Sequence, residues 1–276
     1  MKLILYKVVK KIKRKLDKTK TIKIIKIGGN IINNKEALNN FITNFSKIKG
    51  PKVLVHGGGK LASELATKME VPIKMIDGRR VTDEETLEII TMVYAGKINK
   101  NIVTQLQVNH VNALGFTGAD AQTIISVKRS SNPIDFGYVG DVVKVNIAIP
   151  ELLLNNSITP VFCAITYDVK GTLLNTNADT IASELAIAFS KNYRTELYYC
   201  FEKEGVMKDV DDPNSIIEEI NLEDYQQLKN DRIIFEGMIP KLDNCFHALK
   251  NKVHHVYLGK TEMLFNSKIK HTLLQL

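Results

Sequence analysis

The sequence has no tryptophan, only three cysteines and seven prolines, and no apolar run near the roughly 20 residues that cross a bilayer. A membrane span is therefore not expected. Residues 1–9 are apolar, but Lys2 and Lys7 interrupt them and no small-residue cleavage site follows, so neither is a signal peptide expected. Cys163, Cys200 and Cys245 are odd in number, widely spaced and form no CxxC pair, which argues against a disulfide framework and for buried, reduced thiols in the cytoplasm. The six histidines show no HxxxH spacing, so no zinc site is expected. Neither a GxxxxGK[ST] loop nor a GxGxxG turn is present, which sets aside P-loop and Rossmann nucleotide binding.

A positively charged body is also lacking, despite a net charge of +8. Residues 1–23 carry ten Lys or Arg against one acidic residue, Asp17, so that segment alone is +9 and the remainder is −1. The basicity belongs to a tail and not to a nucleic-acid-binding face. Leu3, Leu5, Val8, Val9, Ile12 and Leu16 lie among those lysines and would share one face of a helix. A basic flexible tail is the plainer expectation.

What is present is a repeated change of hydrophobic period. Residues 22–27, 52–56, 124–127, 140–145, 159–164, 196–201 and 253–258 read as strands, those at 52–56 and 253–258 as buried ones. Leu38, Phe41, Ile42, Phe45 and Ile48 fall at helical spacing, as do Leu61, Leu65 and Met69. Residues 177–189 read as a helix, and so does the run containing Leu242, Cys245, Phe246 and Leu249. Thr82 and Glu85 read as a capping box opening a long helix towards Gln107. Such alternation predicts an α/β fold: a three-layer αβα sandwich with a central, mostly parallel sheet. Ligands in such sheets bind beyond the carboxyl ends of the strands.

Five segments carry chemistry. Lys26-Ile27-Gly28-Gly29 ends a strand with an ammonium beside bare backbone, through which a phosphate can approach; a tight turn with a solvated lysine is the alternative. His56-Gly57-Gly58-Gly59-Lys60 repeats the strand–glycine–helix pattern that binds anions. There His56 is a base or, as the expectation favours, the residue that orients the turn. Asp77-Gly78-Arg79-Arg80-Val81-Thr82 offers a guanidinium fork for a carboxylate. Asn175-Thr176-Asn177-Ala178-Asp179 opens a helix with residues that cap it or bind polar groups. Gly237-Met238-Ile239-Pro240-Lys241 brings a lysine into a first helical turn.

In this order the segments resemble acetylglutamate kinases, of the amino-acid kinase superfamily, over residues 20–260. Asn112 to Gly115, Gly118-Ala119-Asp120 and Gly140-Asp141-Val142 match as well. Aspartokinases and uridylate kinases share the first glycines but not the HGGG, GxRVT and NxNAD combination. The resemblance implies ATP-dependent phosphorylation of the γ-carboxylate of N-acetyl-L-glutamate in arginine biosynthesis. N-succinyl-L-glutamate as acceptor, or a catalytically silent amino-acid-sensing homologue, are the alternatives. It implies a catalytic group of Lys26, Asp179 and Lys241, and acyl-glutamate bound by Gly58, Gly59, Arg80, Asn175 and Asn177. ATP would lie against Gly28, Gly29, Phe201, Glu202, Lys203, Gly205, Val206, Phe235, Gly237 and Met238, with Mg2+ held through its phosphates and no metal ligand from the protein. Residues 1–20 are then a basic extension, 21–171 the acyl-glutamate-binding and dimerisation lobe, and 172–276 the ATP-binding lobe. A homodimer is implied, with a hexamer built through the extension as a further option, and neither nucleic acid nor membrane as partner. The resemblance also leads one to look for a glycine-threonine turn covering the nucleotide after Leu258, where this chain has Gly259-Lys260-Thr261-Glu262.

Overall fold

The computed structural model describes residues 19–209, 211–212, 214–234, 238–266 and 268–276. The amphipathic stretch expected in the extension lies outside the described residues, as do Phe235 and Gly237 of the expected nucleotide frame.

Strand β1 (Ile22–Ile27) passes through Gly28 into α1 (Gly29–Asn33) and α2 (Lys35–Lys47). Then come β2 (Lys52–His56), α3 (Gly59–Lys68) and the hairpin β3 (Lys74–Ile76) and β4 (Arg79–Val81). Helix α4 (Glu84–Thr91) continues through a π-helical segment, Met92–Ile98, into α5 (Asn99–Val108). There follow β5 (Ala113–Phe116), β6 (Ile124–Lys128), β7 (Gly140–Val145), α6 (Ala148–Asn155), β8 (Thr159–Cys163), β9 (Ile165–Tyr167), β10 (Leu173–Asn175) and α7 (Ala178–Ser190). The chain closes with β11 (Thr195–Cys200), β12 (Val206–Met207), β13 (Ile216–Ile217), β14 (Glu219–Ile220), α8 (Leu222–Asn230), α9 (Ile239–Lys250), β15 (His255–Gly259) and β16 (Thr272–Leu274).

Among the described residues an eight-stranded sheet runs in the order β14-β16-β15-β11-β1-β2-β8-β5. Its pairings are parallel except between β15 and β16. Ile22, Ile24, Ile25 and Ile27 are all fully buried, so β1 is covered on both faces. That is why it reads as an unbroken apolar run and not as an alternation. Two side chains assign the faces. Lys26 points towards α7, where it meets Asp179. Lys23, three residues earlier and so on the opposite face, is in register with Lys52. The Lys52 ammonium donates to the Phe45 and Ile48 carbonyls at the end of α2, at 3.0 and 2.7 Å. Helices α7 and α2 therefore sit on opposite faces, and the three-layer arrangement expected from the sequence is the one observed.

β1 is the centre of the fold. Its sequence neighbour β2 lies on one side and β11, from the far end of the chain, on the other. Both glycine turns thus open at the carboxyl edge where the strand order diverges, the place where open α/β sheets build their sites. A smaller sheet, β10-β9-β6-β7, and the β3–β4 hairpin flank that edge.

One expectation about local structure fails. Thr82 does not cap α4; Asp83 does, its carboxylate accepting from the Thr86 amide at 2.9 Å. Thr82 is fully buried and already committed. Its amide donates to Phe136 O at 2.9 Å, its carbonyl accepts from the Tyr138 amide, and its hydroxyl accepts from the Asn175 side chain at 3.0 Å. The long helix expected up to Gln107 is present, but the π-helical segment interrupts it, and no spacing in the sequence announces that.

Candidate active site

Lys26 from β1, Asp179 from the first turn of α7 and Lys241 from the first turn of α9 meet at the carboxyl edge of the sheet. The Lys26 ammonium lies 2.7 Å from Oδ1 of Asp179 and the Lys241 ammonium 2.6 Å from Oδ2. Burial pushes the Asp179 carboxyl up, but the two ammonium groups and their hydrogen bonds outweigh it and hold it well below the usual carboxylate range. Asp179 is thus a permanent anion at neutral pH. It sits near the positive end of α7, which favours it. Lys241 sits at the start of α9, where a cation is disfavoured, and the carboxylate offsets that. The Lys241 ammonium also lies over the rings of Tyr199 and Phe201, at 5.2 and 5.9 Å from their centres. Each lysine keeps 14–16% of its side chain exposed, so both remain within reach of a bound ligand.

The two glycine turns flank this cluster in different ways. The Gly28 amide is spent on the Cys200 carbonyl, at 3.1 Å, and is not free to bind a phosphate as expected from the sequence. Gly29 opens α1, and Gly58 precedes α3. Gly58 is glycine for a steric reason: a Cβ there would lie 2.3 Å from Ile98 Cδ1 and 2.9 Å from Tyr94 Cδ1.

Gly58, Gly59, Arg80, Asn175 and Asn177 all line one cavity of about 580 Å³, together with Tyr94, Arg79 and Arg129. The Arg80 Nη2 donates to Gly59 O at 3.0 Å and to Ser63 Oγ at 2.6 Å, which fixes the guanidinium above the second glycine turn. Asn177 is the cap of α7, accepting from the Asp179 amide at 2.7 Å. A second cavity of about 950 Å³ shares Gly78, Arg79, Arg129, Phe136, Asn177, Pro240 and Asn244 with the first and reaches Asp179 and Lys241.

His56 lines neither cavity. It is fully buried; its Nδ1 donates to Gly57 O at 2.8 Å and its Nε2 accepts from the Asn99 amide at 3.1 Å, a tautomer assigned from those partners. Asn99 also donates to Val161 O at 2.9 Å. Burial lowers the His56 pKa to about 4, against a weaker upward pull from the Gly57 carbonyl, so the ring is neutral and holds the turn. Its folded pKa lies below the unfolded value near 6.5. As pH falls from about 6.5 to 4 the unfolded chain gains the proton first, and stability is lost by about 3 kcal/mol across that window. Urea midpoints at pH 7 and pH 4.5 should therefore differ clearly more for the native chain than for His56→Gln. Equal pH slopes would show that His56 is not the group responsible.

Of the residues expected to frame ATP, Phe201 and Met238 are half-buried, and Glu202 and Lys203 are exposed. Gly205 and Val206 are buried against β16. The Val206 amide donates to Thr272 Oγ1 at 2.8 Å, and a Cβ on Gly205 would come within 2.4 Å of that oxygen. These two hold the wall together and do not face open space. Beyond Leu258, Gly259 ends β15 and residues Thr261–Leu264 form a 3₁₀ turn.

The model of the amino acid kinase family matches residues 21–260. The chain belongs to the amino acid kinase family. An acetylglutamate kinase of Cytophaga hutchinsonii is 52% identical over 242 residues, spanning 87% of this chain and 92% of that protein. One of Phocaeicola vulgatus is 48% identical over 235 residues, spanning 85% and 91%. The carbamate kinase of Giardia lamblia, solved with AMP-PNP, superposes with a TM-score of 0.69 over 94% of this chain and 99% of that one, at 14% identity, a likeness of fold alone.

In this member of the amino acid kinase family, two residues of the site carry no signal in the sequence. Tyr94 and Arg129 line the cavity but lie in a helix and a loop with no motif around them. Arg129 is held by Asp141, Nη2 to Oδ1 at 2.6 Å, and lies 5.8 Å from the Phe136 ring centre. Arg79 borders both cavities, whereas its neighbour Arg80 lines only the smaller one. All three cysteines are buried and free, and burial pushes their thiols up. Among the described residues no helix is long and apolar enough to cross a membrane.

Proposed function

We propose that the chain transfers the γ-phosphate of ATP to the γ-carboxylate of N-acetyl-L-glutamate, in arginine biosynthesis. The observation that carries this reading is the Lys26–Asp179–Lys241 cluster between two glycine turns, with Asp179 and Lys241 lining a cavity that shares a wall with the one Arg80 borders. The relatives named acetylglutamate kinase, similar along most of the chain, support it. In this reading residues 21–171 hold the acyl-glutamate and residues 172–276 hold ATP.

The chemistry follows from charge. The acceptor carboxylate is already ionised at neutral pH, so no base is needed, and buried neutral His56 is not asked to be one. A carboxylate oxygen bonds to the γ-phosphorus while the bond from that phosphorus to the β-γ bridging oxygen breaks, leaving ADP and an acyl phosphate. Two anions must approach, so the protein's task is alignment and neutralisation of the moving phosphoryl group. Lys26 and Lys241 do this from opposite sides, and Asp179 keeps both ammonium groups aimed and charged.

Magnesium chemistry would be supplied with the nucleotide. Among the described residues no group of three His, Cys, Asp or Glu is placed to hold a metal, and the Asp179 oxygens are occupied by ammonium groups. In this reading magnesium is carried by the phosphates of ATP.

The test is ADP release by the purified chain with ATP, magnesium and N-acetyl-L-glutamate, against free glutamate as control. A folded protein that releases no ADP with the acylated substrate would end this proposal. Arg80 gives a finer check. If its guanidinium grips the substrate α-carboxylate, Arg80→Lys should raise the KM for N-acetyl-L-glutamate by roughly tenfold or more while the KM for ATP stays put. An unchanged substrate KM would remove Arg80 from the binding set.

A further inference from the structure

Tyr94 lies in the π-helical segment, and such segments often mark places where a helix is re-aimed for function. Both Tyr94 and Ile98 reach back onto Gly58. The Tyr94 ring lies against that glycine: a Cβ built on it would be 2.9 Å from Cδ1 and 3.0 Å from Cε1. The residue is 5% exposed, yet among the described residues its hydroxyl makes no hydrogen bond. Tyrosine hydroxyls on a largely buried ring usually find a partner, and this one is left open to the cavity for a ligand to meet. This hydroxyl faces the cavity that Gly58, Gly59 and Arg80 line.

Its direction is given by Gly59. A Cβ built there would be 3.7 Å from the Tyr94 hydroxyl and 4.0 Å from Arg80 Nη2. A hydroxyl and a guanidinium from distant parts of the chain therefore converge above the second glycine turn; Nη2 is spent on Gly59 O and Ser63 Oγ, which leaves the rest of the guanidinium fork to meet a ligand. Burial raises the Tyr94 pKa against the opposing pull of Arg80, so the phenol stays protonated and able to donate. A group that satisfies both a guanidinium and a neutral hydroxyl at one place needs two acceptor oxygens and negative charge. That is a carboxylate, and the side-chain carboxylate of the substrate is engaged elsewhere, at the lysines.

We infer that Tyr94 is a substrate-binding residue whose hydroxyl donates to the α-carboxylate of the N-acylated glutamate beside Arg80. This rests on the acyl-glutamate reading above and adds a recognition contact that no motif in the sequence marks. The π-helical segment is then the device that turns the ring onto Gly58 and its hydroxyl into the cavity.

The decisive variant is Tyr94→Phe, which keeps the ring against Gly58 and removes only the oxygen. The KM for N-acetyl-L-glutamate should rise about tenfold or more, as for loss of a hydrogen bond to a charged group. The kcat, the KM for ATP and the melting temperature should stay close to native. In a cycle with Arg80→Lys the double variant should lose less than the product of the single losses, because both residues hold one carboxylate. If the native chain turns over N-acetyl-L-glutamate and Tyr94→Phe leaves its KM within twofold, the Tyr94 assignment is wrong and the function stands. A fall in melting temperature or kcat at unchanged KM overturns it too, since that pattern belongs to a packing role. If the native chain itself shows no turnover, it is the acyl-glutamate reading that has failed.

Discussion

Replacing Lys26 or Lys241 by alanine is expected to lower kcat by roughly 10²–10³, with the KM for N-acetyl-L-glutamate little changed. The reason is where the two ammonium groups are held. One carboxylate fixes both, at 2.7 and 2.6 Å, so they are aimed before the substrates arrive. A preorganised cation acts on charge that moves during transfer and much less on charge already present in bound ATP. Asp179→Asn should lower kcat as well, because it leaves two like charges close together with no anion between them. The double variant Lys26→Ala with Lys241→Ala should cost less than the product of the single losses, since residues that act as one unit are not additive. Steady-state kinetics on the four variants, with folding checked by circular dichroism, decides the matter. A folded Lys26→Ala or Lys241→Ala with near-native kcat would strip that lysine of a catalytic role and break the mechanism.

The second large effect is expected at Gly58. A methyl group there would press on Ile98 Cδ1 at 2.3 Å and on the Tyr94 ring at 2.9 Å, and Ile98 is itself only 3% exposed. The isoleucine tip has little room to retreat and the tyrosine ring is rigid. Gly58→Ala should cost roughly 1–3 kcal/mol of stability, the usual range for overpacking. It should also lower kcat/KM about 100-fold, because displacing rigid groups of a site by about 1 Å has effects of that size. Gly59→Ala is the control. Its Cβ would meet only Tyr94 Oη and Arg80 Nη2, at 3.7 and 4.0 Å, so the fold should survive while the substrate loses its place. Thermal melts beside kinetics separate the two. Gly58→Ala with native melting and native activity would show that the close approach is not needed.

Some of this was legible in the one-dimensional chain because it follows from local chemistry. Isoleucine-rich 22–27 and the apolar run 52–56 are strands buried on both faces, and each is followed by glycines that let the chain turn at the carboxyl edge. Lys26, Asp179 and Lys241 were legible because each sits beside such a turn or at a helix start, and the order of the segments resembles one family. The capping of α4 was misread because Thr82 and Glu85 have the right spacing for a box. Only the folded chain brings Phe136, Tyr138 and Asn175 to Thr82, and those bonds leave Asp83 as the cap. The Gly28 amide was assigned to phosphate for a similar reason, since nothing local shows that the Cys200 carbonyl, 172 positions away in the chain, will take it.

Hydrophobic period and turn chemistry act over a few residues, and so the alternation of strands and helices, the parallel sheet and the charged residues at its carboxyl edge could be read from the chain. Which groups meet was decided by tertiary structure alone. The single carboxylate shared by two lysines, the burial that keeps His56 neutral and the convergence of Tyr94 and Arg80 over Gly59 all join segments far apart in the chain. Their distances depend on how the sheet order places β1 between β2 and β11, and on a π-helical segment that no local propensity encodes.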